Sequence, residues 1–381
     1  MSSVTIRPVI SKSDMRTFVQ FANRLYKGNP YYCPTLDFDE INTFKQGKNP
    51  ALEFSEYALF LAERNGKVVG RIAAIINRIA NASWNVKKLR FGWFDFIDDL
   101  EVSRALLDAA KDWGLERGMT EMNGPVGFTD MDKEGLLLEG YEEIAAMPEL
   151  YNYPYYVRHF EDYGFEKEAD WIAMQIVPPA EVPERWQRMA DIVQRRSRLH
   201  IVKVKNSKEL LKRYPNMEYF DVLSDAYSKL YNYQPLTKAQ KRFYSEYYFG
   251  LLNFDFVTII ENEKNEIVAL GLGMPDLTEA LQKADGSLFP FGWYHLLKAL
   301  KAKKMDAFDL LLIAVRPDYQ EHGAHALIFA DQTPLFNKYG IHRLETTSIL
   351  ETNTKNLANF TGFTHRIHKR RRAYIKQIAE C

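Results

Sequence analysis

Phe308-Asp309-Leu310-Leu311-Leu312-Ile313-Ala314-Val315-Arg316-Pro317-Asp318-Tyr319-Gln320-Glu321-His322-Gly323-Ala324-His325-Ala326-Leu327-Ile328-Phe329 is the sharpest local pattern in the chain. The apolar run that closes at Val315 reads as a buried strand, Arg316-Pro317-Asp318 turns the chain, and Gln320 to Ala324 lead directly into a helix. A loop placed at such a helix start is an anion site. Its first-turn N–H groups lack partners within the helix, and the positive end of the macrodipole lies there.

Downstream, the helix near His322 to Tyr339 stops at Gly340, and a strand follows from His342 to Ile349. Upstream, Phe256 to Glu261 and Ile267 to Leu272 pair as a hairpin through Glu263-Lys264-Asn265, behind a strand at His200 to Val204 and helical material from Ser207. A helical stretch around Tyr294 to Lys303 is inserted before the decisive strand. The first half repeats this order. Val4 to Val9 reads as a strand, Ser13-Asp14 caps a helix carrying Phe18, Phe21, Ala22 and Leu25, and Arg64-Asn65-Gly66-Lys67 joins two strands because Asn-Gly accepts positive φ. Phe91 to Ile97 is the next strand and Val102 to Arg117 an amphipathic helix ending at Gly118. Such a doublet predicts two copies of one α/β domain, a mixed sheet with helices on both faces. The halves are 1–177 and 184–381, joined by the proline-rich Val177 to Pro183, with an insertion at about 120–150 in the first.

The sequence has 381 residues, enough for two cores, and 24 Phe, 22 Tyr and 6 Trp, far too aromatic for a disordered chain. These rings either fill cores or line a pocket for a lipid-like ligand. Lys+Arg and Asp+Glu balance at 50 each, which removes the electrostatic case for nucleic-acid binding. Lys369-Arg370-Arg371-Arg372 is the one dense basic run, read either as a solvated tail or as a final strand whose cations meet a phosphate-bearing ligand. Cys33 and Cys381 make neither a disulfide framework nor a metal-ligand set, which fits a reducing cytoplasm. Neither a signal peptide nor a membrane span is expected.

The loop of the second half resembles the acyl-CoA signature of the GNAT (GCN5-related N-acetyltransferase) superfamily, Val-x-Pro-x-x-(Gln/Arg)-x-x-Gly-x-(Gly/Ala). Val315, Pro317, Gln320 and Gly323 match in place, and His325 stands for the last small residue. Glu351-Thr352-Asn353-Thr354-Lys355-Asn356, running on through Phe360 to Gly362-Phe363, is similar to the closing element of that family, compressed and with Phe360 or Ala358 near the position of its usual Tyr. In the first half the helix Ala105 to Trp113 fits, but its loop, Asp98 to Arg104, has no glycine. There the closing element is Asn152, Phe160 and Tyr163-Gly164-Phe165. With its insertion at 120–150, the whole arrangement looks like the YghO-like group of bacterial proteins.

The resemblance implies two tandem GNAT-like domains and direct transfer of an acyl group, acetyl or longer, from acyl-CoA to an amine of a small-molecule or lipid acceptor. The residues it assigns to the donor are Ile313, Val315, Gln320, Glu321, His322, Gly323, Ala324, His325, Asn353 and Asn356. Direct transfer needs a base for the amine, a backbone N–H for the carbonyl oxygen and a proton or hydrogen bond for the departing thiolate. Glu351, at a strand end, and Glu321, in the loop, are the candidate bases, each also readable as a solvated carboxylate. His322, His325 and His342 lack the Cys or clustered carboxylates that would complete a metal set, so no metal is expected, and His325 reads equally as a space filler beside the loop. The run Tyr151 to Tyr156 is an acceptor wall or simple packing. Against the enzyme stands a non-catalytic CoA-ligand sensor or partner-binding module on the same scaffold, favoured by the missing Tyr and the glycine-free first loop.

Overall fold

A computed structural model describes residues 3–379, and the side chains of Glu321 and His322 lie outside the described residues. The first half runs β1 (Thr5–Pro8), α1 (Lys12–Leu25), α2 (Asp37–Thr43), β2 (Ser55–Arg64), β3 (Lys67–Asn77), α3 (Arg78–Trp84), β4 (Lys88–Phe96), α4 (Leu100–Leu115), β5 (Glu121–Gly124), β6 (Leu136–Glu139), α5 (Tyr155–Tyr163) and β7 (Glu166–Ile176). The second runs α6 (Glu184–Ser197), β8 (His200–Val202), α7 (Ser207–Arg213), α8 (Tyr219–Tyr227), α9 (Lys238–Phe249), β9 (Thr258–Glu261), β10 (Ile267–Pro275), α10 (Thr278–Ala284), α11 (Gly292–Leu300), β11 (Ala307–Val315), α12 (Ala324–Tyr339), β12 (Arg343–Thr346), β13 (Ile349–Leu350), α13 (Thr354–Ala358) and β14 (His365–Gln377).

Local chemistry accounts for the boundaries. The Ser11 side chain accepts from Asp14 N while the Asp14 carboxylate accepts from Ser11 N, a capping box that starts α1 two residues before the Ser13 expected from the sequence. Asn65 (φ 53) and Gly66 (φ 71) make the β2–β3 turn, and Asn265 (φ 60) turns β9 into β10. Alternate residues of β3 face opposite layers. Ile72, Ala74 and Ile76 pack with Val102, Leu106 and Leu107 of α4, whereas Ala73 and Ile75 pack with Phe18 and Val19 of α1. In the second half Ile260 joins the α12 residues Leu327 and Ile328, and Ile259 joins Val222 and Leu223 of α8. Helices therefore cover both faces.

One continuous sheet spans both halves in the order β1-β2-β3-β4-β5-β14-β7-β12-β11-β10-β9-β8. Its centre is an exchange of terminal strands. β7, last of the first half, pairs with β12 of the second (Leu344↔Ile176), and β14, last of the second, pairs with β5 of the first (Tyr374↔Gly124). The two exchanged strands pair with each other from His365↔Ile176 to Ile375↔Glu166. Reading Lys369 to Arg372 as a solvated tail fails here: the segment is mid-strand, with Lys369 and Arg371 buried. Lys369 meets Glu149 at 2.6 Å and Glu345 at 2.5 Å, Arg371 meets Glu149 at 2.8 Å, and Arg372 meets Asp170 at 2.7 Å. Burial of these cations is tolerable because each has a carboxylate partner.

Among the described residues, β4–β5 and β11–β12 are the two parallel pairs, and each closes early. Pairing runs only from Lys88↔Glu121 to Arg90↔Asn123 and from Ala307↔Arg343 to Leu310↔Thr346. The strand expected over His342 to Ile349 is broken at Thr347-Ser348. There Thr347 N donates to Leu310 O (3.2 Å), its hydroxyl donates to Leu311 O (3.1 Å), and the chain moves over to pair with β7 as β13. Beyond Leu310 the two strands stand apart.

Candidate functional site

Past the break, β11 is paired only on its β10 side (Leu312↔Leu272, Ile313↔Gly271, Val315↔Ala269). The carbonyls of Leu311, Ile313 and Val315 point into the opening, where they accept from the Thr347 hydroxyl, the Tyr227 hydroxyl (3.2 Å) and the Gln320 amide (3.1 Å). In an antiparallel strand the N–H and C=O of a residue share a side, so the Ile313 N–H faces the same opening.

The opening leads into a cavity of about 320 Å³ between the sheet and the helices α8 and α9, lined by Leu310 to Ile313, Thr346 to Leu350, Asn353, Asn356 and aromatic residues such as Phe220 and Tyr244. A second cavity of about 400 Å³ lies on the first half, against Trp93, Phe94, Tyr26, Tyr151 and Tyr156. Both are bounded by Met131, Asp132, Pro148, Glu149, Tyr244 and Tyr248, so they are two lobes meeting at a shared wall. α9 of the second half reaches across to supply the two tyrosines of that wall. The first-half lobe has a polar floor: Arg71 Nε donates to Asp95 at 2.8 Å, and the Tyr26 and Tyr156 hydroxyls sit 2.8 Å apart.

Asp130, Asp132 and Glu134 project from one loop beside this wall. Burial raises all three, Asp132 to about 6 despite the Thr129 N–H it accepts (2.9 Å), and Asp130 to about 7 despite the nearby Arg90. Glu134 is raised to about 8 by burial and then by the charge of Asp130. Titratable groups shifted together in a cleft are the ordinary mark of a functional site. The sequence analysis missed them because three acidic residues in five, within the insertion at 120–150, match no motif.

The residues expected at the donor fall into two groups. Ile313, Asn353 and Asn356 line the second-half lobe, and the buried Oδ1 of Asn356 has no hydrogen-bond partner among the described residues. Val315, Gln320, Gly323, Ala324 and His325 form the turn above it. Gly323 has φ 74 and, as N-cap of the sixteen-residue α12, brings no capping side chain of its own. Gln320 Oε1 is met by Lys355 of α13 at 3.3 Å, which ties the turn to the lobe's rim. On one side α6 covers the turn: a Cβ on Gly323 would lie 3.3 Å from both Met189 and Val193. His325 packs edge-on against Trp186 of the same helix, and burial, with Arg185 nearby, lowers its pKa. That is the space-filling role.

Glu351 departs from the base expected of it. Its carboxylate pairs with Lys167 and, at 3.0 Å, with Arg370, which fastens α13's approach to the exchanged strands. Both of its carboxylate oxygens are engaged, Oε1 by Lys167 and Oε2 by Arg370. The side chain of the other candidate, Glu321, and that of His322 fall outside the described residues.

The corresponding turn of the first half is filled by its own carboxylates. Asp99 caps α4 through Glu101 N and Val102 N and pairs with Arg64 (2.6 Å), while Asp98 pairs with Arg158 (2.7 Å) and His159 (2.9 Å). An anionic ligand would meet two negative charges there. Its strand opening is also closed, because Val126 N donates to Phe91 O at 2.8 Å across the gap.

No protein-family model matches the chain. Among curated proteins it is 29% identical to Protein YghO of Escherichia coli K12, over 98% of this chain and 95% of that one. It is 25% identical to the bacterial ceramide synthase of Caulobacter vibrioides, over 99% and 98% of the two chains. Among solved structures it superposes on a tandem GNAT protein of the clavulanic acid biosynthesis pathway with a TM-score of 0.59 at 10% identity, each chain fully covered. A GCN5-related N-acetyltransferase from Sphaerobacter thermophilus gives 0.51 at 11%, over 99% and 96%. The overall fold is thus that of a tandem GNAT protein, in a chain that is similar to Protein YghO from end to end.

Proposed function

We propose that this protein is an N-acyltransferase that moves an acyl group from acyl-CoA to the amine of a long-chain acceptor of the sphingoid kind. The observation that carries the reading is the pair of apolar lobes meeting at a wall beside raised carboxylates. One lobe opens between the splayed strands β11 and β12 and suits the acyl chain, and the other suits the acceptor's hydrocarbon tail. Similarity to a bacterial ceramide synthase over 99% of the chain supports the same acceptor class.

The donor supplies an activated acyl carbonyl with a thiolate leaving group. Its phosphates fit the α12 start at Gly323 to His325, and its pantetheine fits beside Ile313, Asn353 and Asn356. Among this chain's own groups, Asp132 accepts the ammonium proton of the acceptor, since a carboxylate raised to about 6 is still ionised at neutral pH yet basic enough to help. The Ile313 N–H donates to the carbonyl oxygen as charge develops there. The amine nitrogen bonds to the carbonyl carbon, the carbon–sulfur bond breaks, and the second proton of the nitrogen passes to the departing sulfur, which leaves as the CoA thiol while the Tyr227 hydroxyl, kept protonated by burial, turns from the Ile313 carbonyl to hydrogen-bond it. Tyr227 thereby does what Phe360 cannot. Mass spectrometry of purified protein given a long-chain acyl-CoA and sphinganine tests this: an amide product and stoichiometric free CoA are expected, and acyl-CoA hydrolysis without amide would overturn it.

A further inference from the structure

The inserted segment between β10 and β11 presents an apolar face that none of the described residues covers. Phe289 and Phe291 are 79% and 68% exposed, and Trp293, Tyr294 and Leu297 are exposed beside them on α11. The segment is held in this posture. Ser287 Oγ donates to Phe289 O at 2.9 Å, and Trp293 Nε1 donates to Pro290 O at 3.0 Å. Phe38, also exposed, lies next to Asp37, whose N–H donates to Gly286 O at 2.9 Å, so α2 extends the same face. Patches of this kind mark an interaction surface.

Lysines flank it. Lys298, Lys301, Lys303 and Lys304 follow the aromatic residues, all four exposed, and the first three have no ion-pair partner among the described residues. Phe289 to Lys304 holds these four lysines and no acidic residue, a local excess within the segment, whereas Phe38 on α2 is flanked by Asp37, Asp39 and Glu40. Exposed aromatic rings with lysines alongside are the composition of a segment lying in a bilayer interface, its rings at headgroup depth and its ammonium groups on anionic lipid. The opposite face of α11 points inward: Leu296 lines the first-half lobe, whose rim includes the α2 residues Asp39 and Asn42. The exposed face is therefore continuous with a lipid-sized cavity.

We infer that Phe289 to Lys304, with Phe38, docks this protein on an anionic membrane surface and turns the mouth of the first-half lobe towards it. Docking stands on the surface alone. That a lipid amine passes from the bilayer into the lobe rests on the reading given under Proposed function, and the binding experiment keeps the two apart because it needs no turnover.

Full-length protein is floated with vesicles of equimolar phosphatidylglycerol and phosphatidylcholine, and with phosphatidylcholine alone. Binding to the anionic vesicles that weakens with salt is expected, with a loss of about tenfold or more in the Phe291→Ser/Trp293→Ser variant. The Lys298→Glu/Lys301→Glu variant keeps the aromatic face intact and should lose roughly tenfold on anionic vesicles alone. Wild-type protein that ignores both vesicle types, or variants that float as wild type does, would overturn the inference. So would light scattering that finds a dimer dissolved by the same substitutions, which would give the face to a second copy.

Discussion

Glu149→Gln is the sharpest perturbation of the strand exchange. The carboxylate of Glu149 is 4% exposed and joins the 140s segment to β14 through Lys369 (2.6 Å) and Arg371 (2.8 Å). The amide keeps the shape and removes the charge. Lys369 retains Glu345, but Arg371 keeps only the carbonyl of Leu150 (3.2 Å), leaving a buried guanidinium without a counter-charge. Removing one partner of a buried pair costs about 3–5 kcal/mol. With both halves interleaved in one sheet, unfolding should be a single transition, and 381 residues at about 2.1 cal/mol/K each carry an unfolding entropy of roughly 800 cal/mol/K. The loss is then a fall in Tm of about 4–6 °C by calorimetry. Burial alone would raise the Glu149 carboxyl, and the charges of Arg371 and Lys369 more than reverse this, holding it below its usual value of 4.5. Its contribution is therefore present above that pH and is lost as pH falls through the lowered value, so the gap between variant and wild type should narrow in acid. A Tm change under about 1 °C at neutral pH would refute the reasoning, and two separate transitions would refute the interleaving.

Three further outcomes are expected. Asp132→Asn should lower kcat/KM by about 10²–10⁴-fold and abolish an acid limb near pH 6 in the rate profile, with acyl-CoA affinity unchanged by calorimetry. Gly323→Asp and Gly323→Asn put near-identical volumes at the same φ of 74, which Asn and Asp both tolerate; only the carboxylate should weaken CoA binding, by about tenfold or more. Glu134→Gln should melt above wild type at alkaline pH. A carboxyl raised from 4.5 to about 8 takes up protons in the folded state, so wild-type stability falls as pH rises through that window, and the variant's advantage should vanish towards pH 4.5.

The paired order of elements was legible because its signals are local. The Asn65-Gly66 turn, the apolar run to Val315 and the glycine after it report on their own neighbourhoods, and the structure keeps all three. The glycine-free loop at Asp98 was likewise readable as a lost anion site, and its carboxylates prove to occupy the helix start themselves. What stayed hidden depends on partners distant in sequence. Lys369 to Arg372 look like a solvated charge run until Glu149, Asp170 and Glu345, each from another element, are brought against them. Glu351 looked free for the same reason, its partner Lys167 lying 184 positions away. Asp132 gains its meaning only where α9 closes over the insertion.

The most direct test of the account is a single turnover experiment on purified protein, in which thiol release from a long-chain acyl-CoA is followed with and without sphinganine and the lipid product is weighed by mass spectrometry. The two-lobed site predicts CoA release that requires the amine and yields the N-acyl amide, with both lost together in Asp132→Asn. Tight acyl-CoA binding with no amine-dependent release would contradict it, and would return the second-half lobe to the role of a ligand sensor.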